Sequence, residues 1–370
     1  MKGVPTRLVP DLLRSLLRRV TLFLCLAGCP AVVSGQGLTL LGIPLDTVLR
    51  TTPPKVDRNY IVTYYRRLHL FAVSDRQDYS LRVAGSRQPL IYKPNLAWTL
   101  GAGIDYNWLG TEFTLKLPFL GYNVARKGRT KPFGLTLNIT NRKLWFSTQY
   151  QYYKGFYLKN PEVVDPNWFD QHRAYPYRGD IRSQTVLGNI MYMLNPLQLS
   201  VPAGMLQRER QRKNAGSWVV GGFLTYQTIR ADSSWVPTIG QADFAPDAQL
   251  LRYKSLALGL NAGYMQTLVF GNYFFTSFSL RPGLGVMLER SQRVDGELST
   301  QFRLGWQGVG TLTAGYSTDI YYGGLYYSTT FNSRALAGSI VNTSVEYVRL
   351  VVGKRLRYQP KGIVKRLPGM

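Results

Sequence analysis

Cysteine occurs only at positions 25 and 29 of this 370-residue chain, and histidine only at 69 and 172. Both cysteines fall in a basic-then-apolar N-terminal stretch, so the chain beyond it has no thiol for a disulfide or a thiolate metal site. Two isolated histidines exclude a His-rich metal centre. His69 shares its alternation with Phe71 and Val73 rather than with a serine. His172 lies in a polar stretch with Asp165 and Asp170, the one place where an acid/base or metal cluster is conceivable. No phosphate-binding loop, GxSxG elbow, HExxH or CxxC pair is present. The residues therefore give no catalytic, cofactor-binding or metal-binding set, and the expectation is a non-enzyme without cofactor.

Acidic residues are also scarce, 20 against 45 basic ones, for a net charge of +25. The first 35 residues carry +4 of this and the tail from Gly353 carries +6, leaving +15 in the body. The body's basic residues cluster in segments such as Arg126 to Lys131 and Arg208 to Lys213. For a secreted chain these suit anionic lipopolysaccharide head groups; nucleic acid is not an expected partner.

The N-terminus explains the expectation of secretion. Lys2, Arg7, Arg14, Arg18 and Arg19 precede an apolar run from Val20 to Val33, which reads as a signal peptide over residues 1–35 cleaved after Gly35. Leu26-Ala27-Gly28-Cys29 offers a competing cut, with a lipid anchor on Cys29.

Beyond it there is no helical hydrophobic run. Between Lys254 and Arg281 no residue is charged, yet the apolar side chains recur every second position. Leu256, Leu258, Leu260, Ala262 and Tyr264 share one face, against Ser255, Ala257, Gly259, Asn261 and Gly263. Phe274, Phe278, Leu280, Leu284, Val286 and Leu288 repeat the pattern, opposed by Ser277, Ser279, Arg281, Gly283, Gly285 and Glu289. Period two is a strand signal, because successive side chains point to opposite faces. A membrane helix would place Gly, Asn and Gln in lipid, whereas a strand with an oily outer face and a small or polar inner face is the script of a transmembrane β-barrel. Trp98 and Trp108 at the two ends of an aliphatic face, and 25 Tyr with 16 Phe overall, suit interfacial aromatic girdles.

The fold class expected is therefore all-β: an antiparallel up-and-down transmembrane barrel of roughly 12 to 14 strands. Residues 36–65, broken by Pro53-Pro54, form a leader that is periplasmic or plug-like, 66–356 the barrel, and 357–370 a basic tail. Long connections at Gly85 to Asn95, Phe119 to Pro132, Lys159 to Gly179 and Ala231 to Leu250 all ask to be extracellular. Between the last two lie three strand candidates, Ile181 to Leu194, Leu197 to Leu206 and Ser217 to Ile229, which breaks the alternation of sides. Either one strand is false or one long loop is periplasmic. Alternation assigns five charged residues to the lumen: Asp105, Glu112, Lys116, Arg281 and Glu289.

Three stretches carry a resemblance. Tyr92-Lys93-Pro94-Asn95 precedes a Gly-rich strand; Tyr150-Gln151-Tyr152-Tyr153-Lys154-Gly155-Phe156-Tyr157 follows; and Gln207-Arg208-Glu209-Arg210-Gln211-Arg212-Lys213-Asn214-Ala215-Gly216-Ser217 is the third. Together they resemble the Bacteroidota envelope family catalogued as domain of unknown function 4421, from about Asp57 to Leu356. The resemblance implies an outer-membrane β-barrel without assigned activity, in contact with outer-membrane lipid and lipopolysaccharide and inserted by barrel-assembly machinery. At Gly353-Lys354-Arg355-Leu356 the chain departs from a family ending in Gly, an aromatic, Arg and Phe. The tyrosine run reads as a girdle or a carbohydrate-stacking platform, and Gln207 to Lys213, polar on both faces, as a segment beyond the bilayer or a loop. The function expected is a narrow channel or a structural, ligand-binding envelope component. The alternatives are a lipid- or glycan-modifying enzyme using His69 or His172, and a scaffold for envelope assembly or secretion.

Overall fold

The computed structural model describes residues 39–40, 43–44, 55–64, 67–85, 88–106, 109–117, 122–140, 142–239, 244, 248–333 and 341–358. The signal segment and most of the leader and basic tail lie outside these residues. Residues 1–46 form one unit, in which Thr39–Leu40 pairs with Ile43–Pro44; the rest of the chain forms the second.

Among the described residues, the second unit is an antiparallel sheet of thirteen strands, most of it closed into a barrel, with two further short strands that pair with each other. In chain order these are β1 (Ile61–Thr63), β2 (Arg67–Val83), β3 (Leu90–Lys93), β4 (Thr99–Tyr106), β5 (Leu109–Lys116), β6 (Lys131–Thr140), β7 (Leu144–Leu158) and β8 (Tyr177–Met193). There follow β9 (Glu209–Gln211), β10 (Ala215–Arg230), β11 (Leu250–Phe270), β12 (Phe274–Arg293), β13 (Leu298–Ser317), β14 (Tyr321–Ser333) and β15 (Val341–Arg357). From β7 through β15 the wall strands pair with their sequence neighbours, and β15 closes onto β2 along its full length, Val341 opposite Val83 and Arg357 opposite Arg67.

The circuit is completed differently. The half of β2 towards Arg67 pairs with β4, which pairs with β5, while its other end pairs with the four-residue β3, and β3 bridges to Tyr157 and Leu158 of β7. Ten strands thus form a closed ring, and β4, β5 and β6 extend the wall beside it. Among the described residues no ladder joins β5 to β6, so the wall has a seam below β3.

Alternation decides what faces where. On β11 and β12 the side chains of Leu256, Leu258, Leu260, Phe278, Leu280, Leu284, Val286 and Leu288 are exposed, while Ser255, Asn261, Met265, Ser277, Ser279 and Arg281 are buried inside. Leu100, Ile104, Phe113, Leu135, Ile190, Trp218, Phe302, Leu304, Leu312 and Val352 continue the exposed apolar belt around the ring. Such a belt is stable only in lipid, so the barrel spans a membrane. The ladder of β11 with β12 is interrupted at Pro282, which has no N–H to give, with the same register on both sides of the gap.

The structure removes one strand expected from sequence. Leu197 to Leu206 does not cross the wall; Pro202–Leu206 is a single helical turn within the β8 to β10 connection. The four connections expected to be extracellular then fall on one end of the barrel. At the other end, which carries Arg67 and Arg357, lie the short turns and this one long connection. β2 is continuous from Arg67 to Val83, crossing the polar stretch Ser74 to Asp78 without a break.

Candidate functional site: the closed lumen

At the terminal end, residues 195–214 turn inward instead of projecting outward. Their β9 pairs with β1, Glu209 opposite Thr63 and Gln211 opposite Ile61, so the described end of the leader and the inserted segment form one small ribbon. A Cβ on Gly204 would touch Ser277 of β12 and Met265 of β11, and one on Gly324 of β14 would touch Gln207. The segment therefore reaches wall strands around the ring and lies across the lumen. Gln207 to Lys213, expected beyond the bilayer or in a loop, is part of a plug: Gln207, Glu209 and Gln211 are buried inside, while Arg212 and Lys213 are exposed.

The plug is held in two chemically different ways. Next to its own flanking strands, Leu199 and Val201 pack into an apolar cluster with Met191, Met193, Val219 and Met265. On the opposite wall the contacts are polar. Arg208 makes a two-pronged ion pair with Asp105 of β4, Nη2–Oδ1 2.8 Å and Nε–Oδ2 3.0 Å. Arg355 of β15 donates to the carbonyl of Gln207 at 2.5 Å and to that of Thr318, and its guanidinium lies between the rings of Tyr64 and Tyr322, 4.1 and 4.5 Å from their centroids. Gln207 itself adopts a left-handed backbone (φ 53°), which presents that carbonyl. Tyr64 donates to Thr318 O at 3.1 Å and Asp319 Oδ1 at 2.9 Å. Burial pushes its phenol up to about 12 against the pull of Arg355 and Arg210, so it remains a donor at neutral pH. At the stem, Glu209 bonds Arg142 at 2.7 Å and Ser200 at 2.5 Å.

The other end is closed by apolar packing. Trp235, Val236, Phe244 and Ala248 of the β10 to β11 connection fold onto Tyr79, Leu81, Tyr92, Tyr153, Phe156, Ile181 and Tyr253. The fully buried Tyr92 donates to Trp235 O at 2.5 Å, and Asn95 ties this region to Thr130 (2.8 Å) and Gly128 (2.8 Å). Gly155 (φ 91°) lets β7 kink inward, since a Cβ there would meet Arg129 O and Tyr177 Oη. The tyrosine run thereby splits: Tyr150 and Tyr152 sit on the outer face, whereas Tyr153 and Phe156 belong to the cap. Arg178 clamps the loop from β8, bonding Ser234 O (2.6 Å) and Asp180 (2.9 and 2.8 Å), while Asp180 accepts from Asp232 N (3.0 Å). Those Arg178 hydrogen bonds hold the Asp180 carboxyl down at about 2; with the exposed Arg182 and Gln184 beside it, this part of β8 stands beyond the apolar belt.

Between the two closures the lumen is polar. Glu112 pairs with Arg349, which also lies 3.8 Å from Asp75. Glu289 pairs with Arg303 at 3.3 Å and accepts from Tyr253. Arg281 is buried at mid-wall, and a cavity of about 20 Å³ lies beside Phe223, Thr225, Ser255, Met287 and Gln307. The residues assigned to the lumen by alternation thus serve separate places: Asp105 the plug, Glu112 an ion pair with β15, Glu289 the cap side, and Arg281 the middle. The side chain of Lys116 lies outside the described residues.

Sequence reading missed Arg208, Arg349, Arg355 and Asp75 as partners. The signal was present for two of them: Arg349 and Arg355 share the inward parity of Tyr347, Val351 and Gly353. Of the histidines, His69 is buried on β2 between Arg355 and Asp105 in register, its ring against Tyr64 and Tyr322. His172 is exposed and stacked on Trp168 at 4.0 Å. Among the described residues no group of His, Cys, Asp and Glu is disposed to hold a metal.

Comparison with known proteins gives the following. The family described as "Domain of unknown function (DUF4421)" matches residues 55–355. No curated protein matches. Among solved structures, a CymD monoaromatic hydrocarbon channel is similar at 12% identity over 80% of this chain and 90% of its own, with a TM-score of 0.27. The Pseudomonas putida toluene transporter TodX shares 6% identity over 84% and 92% with a TM-score of 0.22. A Pseudomonas aeruginosa FadL homologue shares 7% over 80% and 91% with a TM-score of 0.20.

Proposed function

The chain belongs to that family, and from its closed lumen we propose that it is a gated, non-catalytic conduit of the outer membrane whose resting state is shut at both ends. The asymmetry of the plug's attachment carries this reading. A stem beside β8 and β10, where apolar packing surrounds the deeply buried Arg142–Glu209 pair, stays put while the more accessible polar latch on β4, β14 and β15 lets go, because water replaces accessible ion pairs and carbonyl hydrogen bonds at little net cost but does not replace apolar packing. The orientation follows from loop length: the end with the plug and the short turns faces the periplasm, and the capped end faces outward. The polar interior, with hydrogen-bonded ion pairs beside inward polar atoms that lack partners, suits passage or capture of a small hydrophilic or amphiphilic solute once the plug has left.

The test is single-channel conductance in planar bilayers of the full chain beside a variant in which residues 198–212 are replaced by a short Gly-Ser turn. Rare, brief openings from the full chain and sustained current from the variant support a plugged conduit. Silence from a correctly folded variant would mean a filled barrel with no passage and would turn attention to envelope partners.

A further inference from the structure

Among the described residues, Arg281 is an inward charge of the mid-lumen that no carboxylate answers. It is 92% buried, yet no Asp or Glu among the described residues lies within ion-pair distance. Its one hydrogen bond among the described residues runs from Nη1 to the sulfur of Met191, 3.4 Å away, and its buried Nε has no partner among them. A thioether is a weak acceptor, and a guanidinium withdrawn from water calls for an oxyanion.

The wall has been cleared for it. Arg281 sits on β12 and Met191 on β8, with β11 and β10 between them. Facing inward at the crossing are Gly263 and Gly221, and a Cβ on Gly263 would lie 2.8 Å from the Arg281 Cα. The hydrogen bond to Met191 carries the side chain across these two strands, while the wider glycine floor at Gly259 and Gly283 lies under the ring of Phe223. At the edge of that floor Asn261 presents a buried carbonyl oxygen without a hydrogen-bond partner, a second unanswered polar atom one row away. The remaining lining is mixed: Met191, Val309 and Phe223 are apolar, and the Tyr326 phenol of β14 stands near the guanidinium.

We propose that Arg281 anchors a lumenal binding site for an organic monocarboxylate. One guanidinium matches one negative charge, and its planar fork pairs a carboxylate through two parallel bonds. A phosphate dianion would leave charge unanswered against Met191 and Val309, whereas the organic part of a carboxylic acid is at home there. The Asn261 oxygen is free to accept from a donor group on the same ligand. The assignment rests on the lumenal reading of this face but not on gating, so binding and conduction are tested apart.

The experiment uses the purified full chain in detergent at fixed ionic strength. Its melting temperature is followed while sodium chloride is exchanged for sodium acetate, sodium benzoate or sodium phosphate, in wild type, Arg281→Met and Arg281→Lys. The expected result is a saturable rise with acetate and a larger one with benzoate, abolished in Arg281→Met and reduced in Arg281→Lys. Without carboxylate, Arg281→Met should melt no lower than wild type, because an apolar side chain of similar length relieves an uncompensated charge. Equal carboxylate responses in wild type and Arg281→Met, or none in wild type, would overturn the site. A phosphate response exceeding that of benzoate would overturn the ligand class.

Discussion

The latch between plug and wall has a magnitude that can be worked out. Asp105 and Arg208 meet through two hydrogen bonds of 2.8 and 3.0 Å, with side chains 11% and 19% exposed. Removing one partner of a fully buried ion pair costs about 3–5 kcal/mol, and a fully exposed pair is worth about 0–1 kcal/mol. This pair lies nearer the first limit, and Asp105→Asn retains an acceptor for one of the two bonds, which brings the expected loss to about 2 kcal/mol. At about 1.4 kcal/mol per factor of ten, the ratio of open to closed plug should rise roughly thirty-fold. Asp105→Ala, which removes both acceptors, should exceed that. The readout is open probability in single-channel records at low voltage, with heat-modifiable gel mobility confirming that the barrel is folded. A charge exchange, Asp105→Arg with Arg208→Asp, should recover part of the closed state. If Asn and Ala variants open no more often than wild type, the pair is not a latch.

Further outcomes follow from the other closure, the belt and the clamp. Trp235→Ala empties a fully buried site in the cap, for an expected loss of about 3–5 kcal/mol in local stability, seen as protease cleavage between 231 and 249 while the barrel core stays intact. Leu260→Arg places a cation on the outer face of β11 at the centre of the apolar belt and should lower folding stability in lipid vesicles by about 2–4 kcal/mol; a change under about 0.5 kcal/mol would deny that this face meets the bilayer core. The depressed Asp180 carboxyl contributes stability present above the ordinary Asp range near 4 and lost as pH falls towards about 2. Hydrogen exchange at Asp232 should therefore accelerate across that window, and Asp180→Asn should flatten the dependence.

The wall was legible in the sequence because a barrel strand has one repeating requirement, apolar out and small or polar in, and β11 and β12 meet it over twenty residues each. The plug was not, for a physical reason. Leu199 and Val201 alternate with Ser200 and Pro202 just as a lipid-facing edge would, and periodicity does not distinguish an apolar face turned to lipid from one turned to the inner wall. Arg208 to Lys213 is polar on both faces, which excludes lipid but leaves water and lumen equal until partners such as Asp105 and Arg355 are placed. β3 is only four residues long, too short for a periodic signal, yet it closes the ring. The segments that carry the family resemblance turn out to be closures rather than wall: Tyr92 to Asn95 and the second half of the tyrosine run build the cap, and Gln207 to Lys213 builds the plug.

The central claim is that the inserted segment closes the lumen and can leave it. A Cβ at position 204 would stand 3.1 Å from the Cβ of Ser277, within a few tenths of an ångström of disulfide geometry, so Gly204→Cys with Ser277→Cys, in a background where Cys25 and Cys29 are serine, should tether the plug to β12. The measurement is conductance of this variant carrying Asp105→Asn, recorded oxidised and then after reduction in the same bilayer. The account expects silence when oxidised and openings on reduction. Equal current in both states would show that ions do not pass where the plug lies, and the claim would fail.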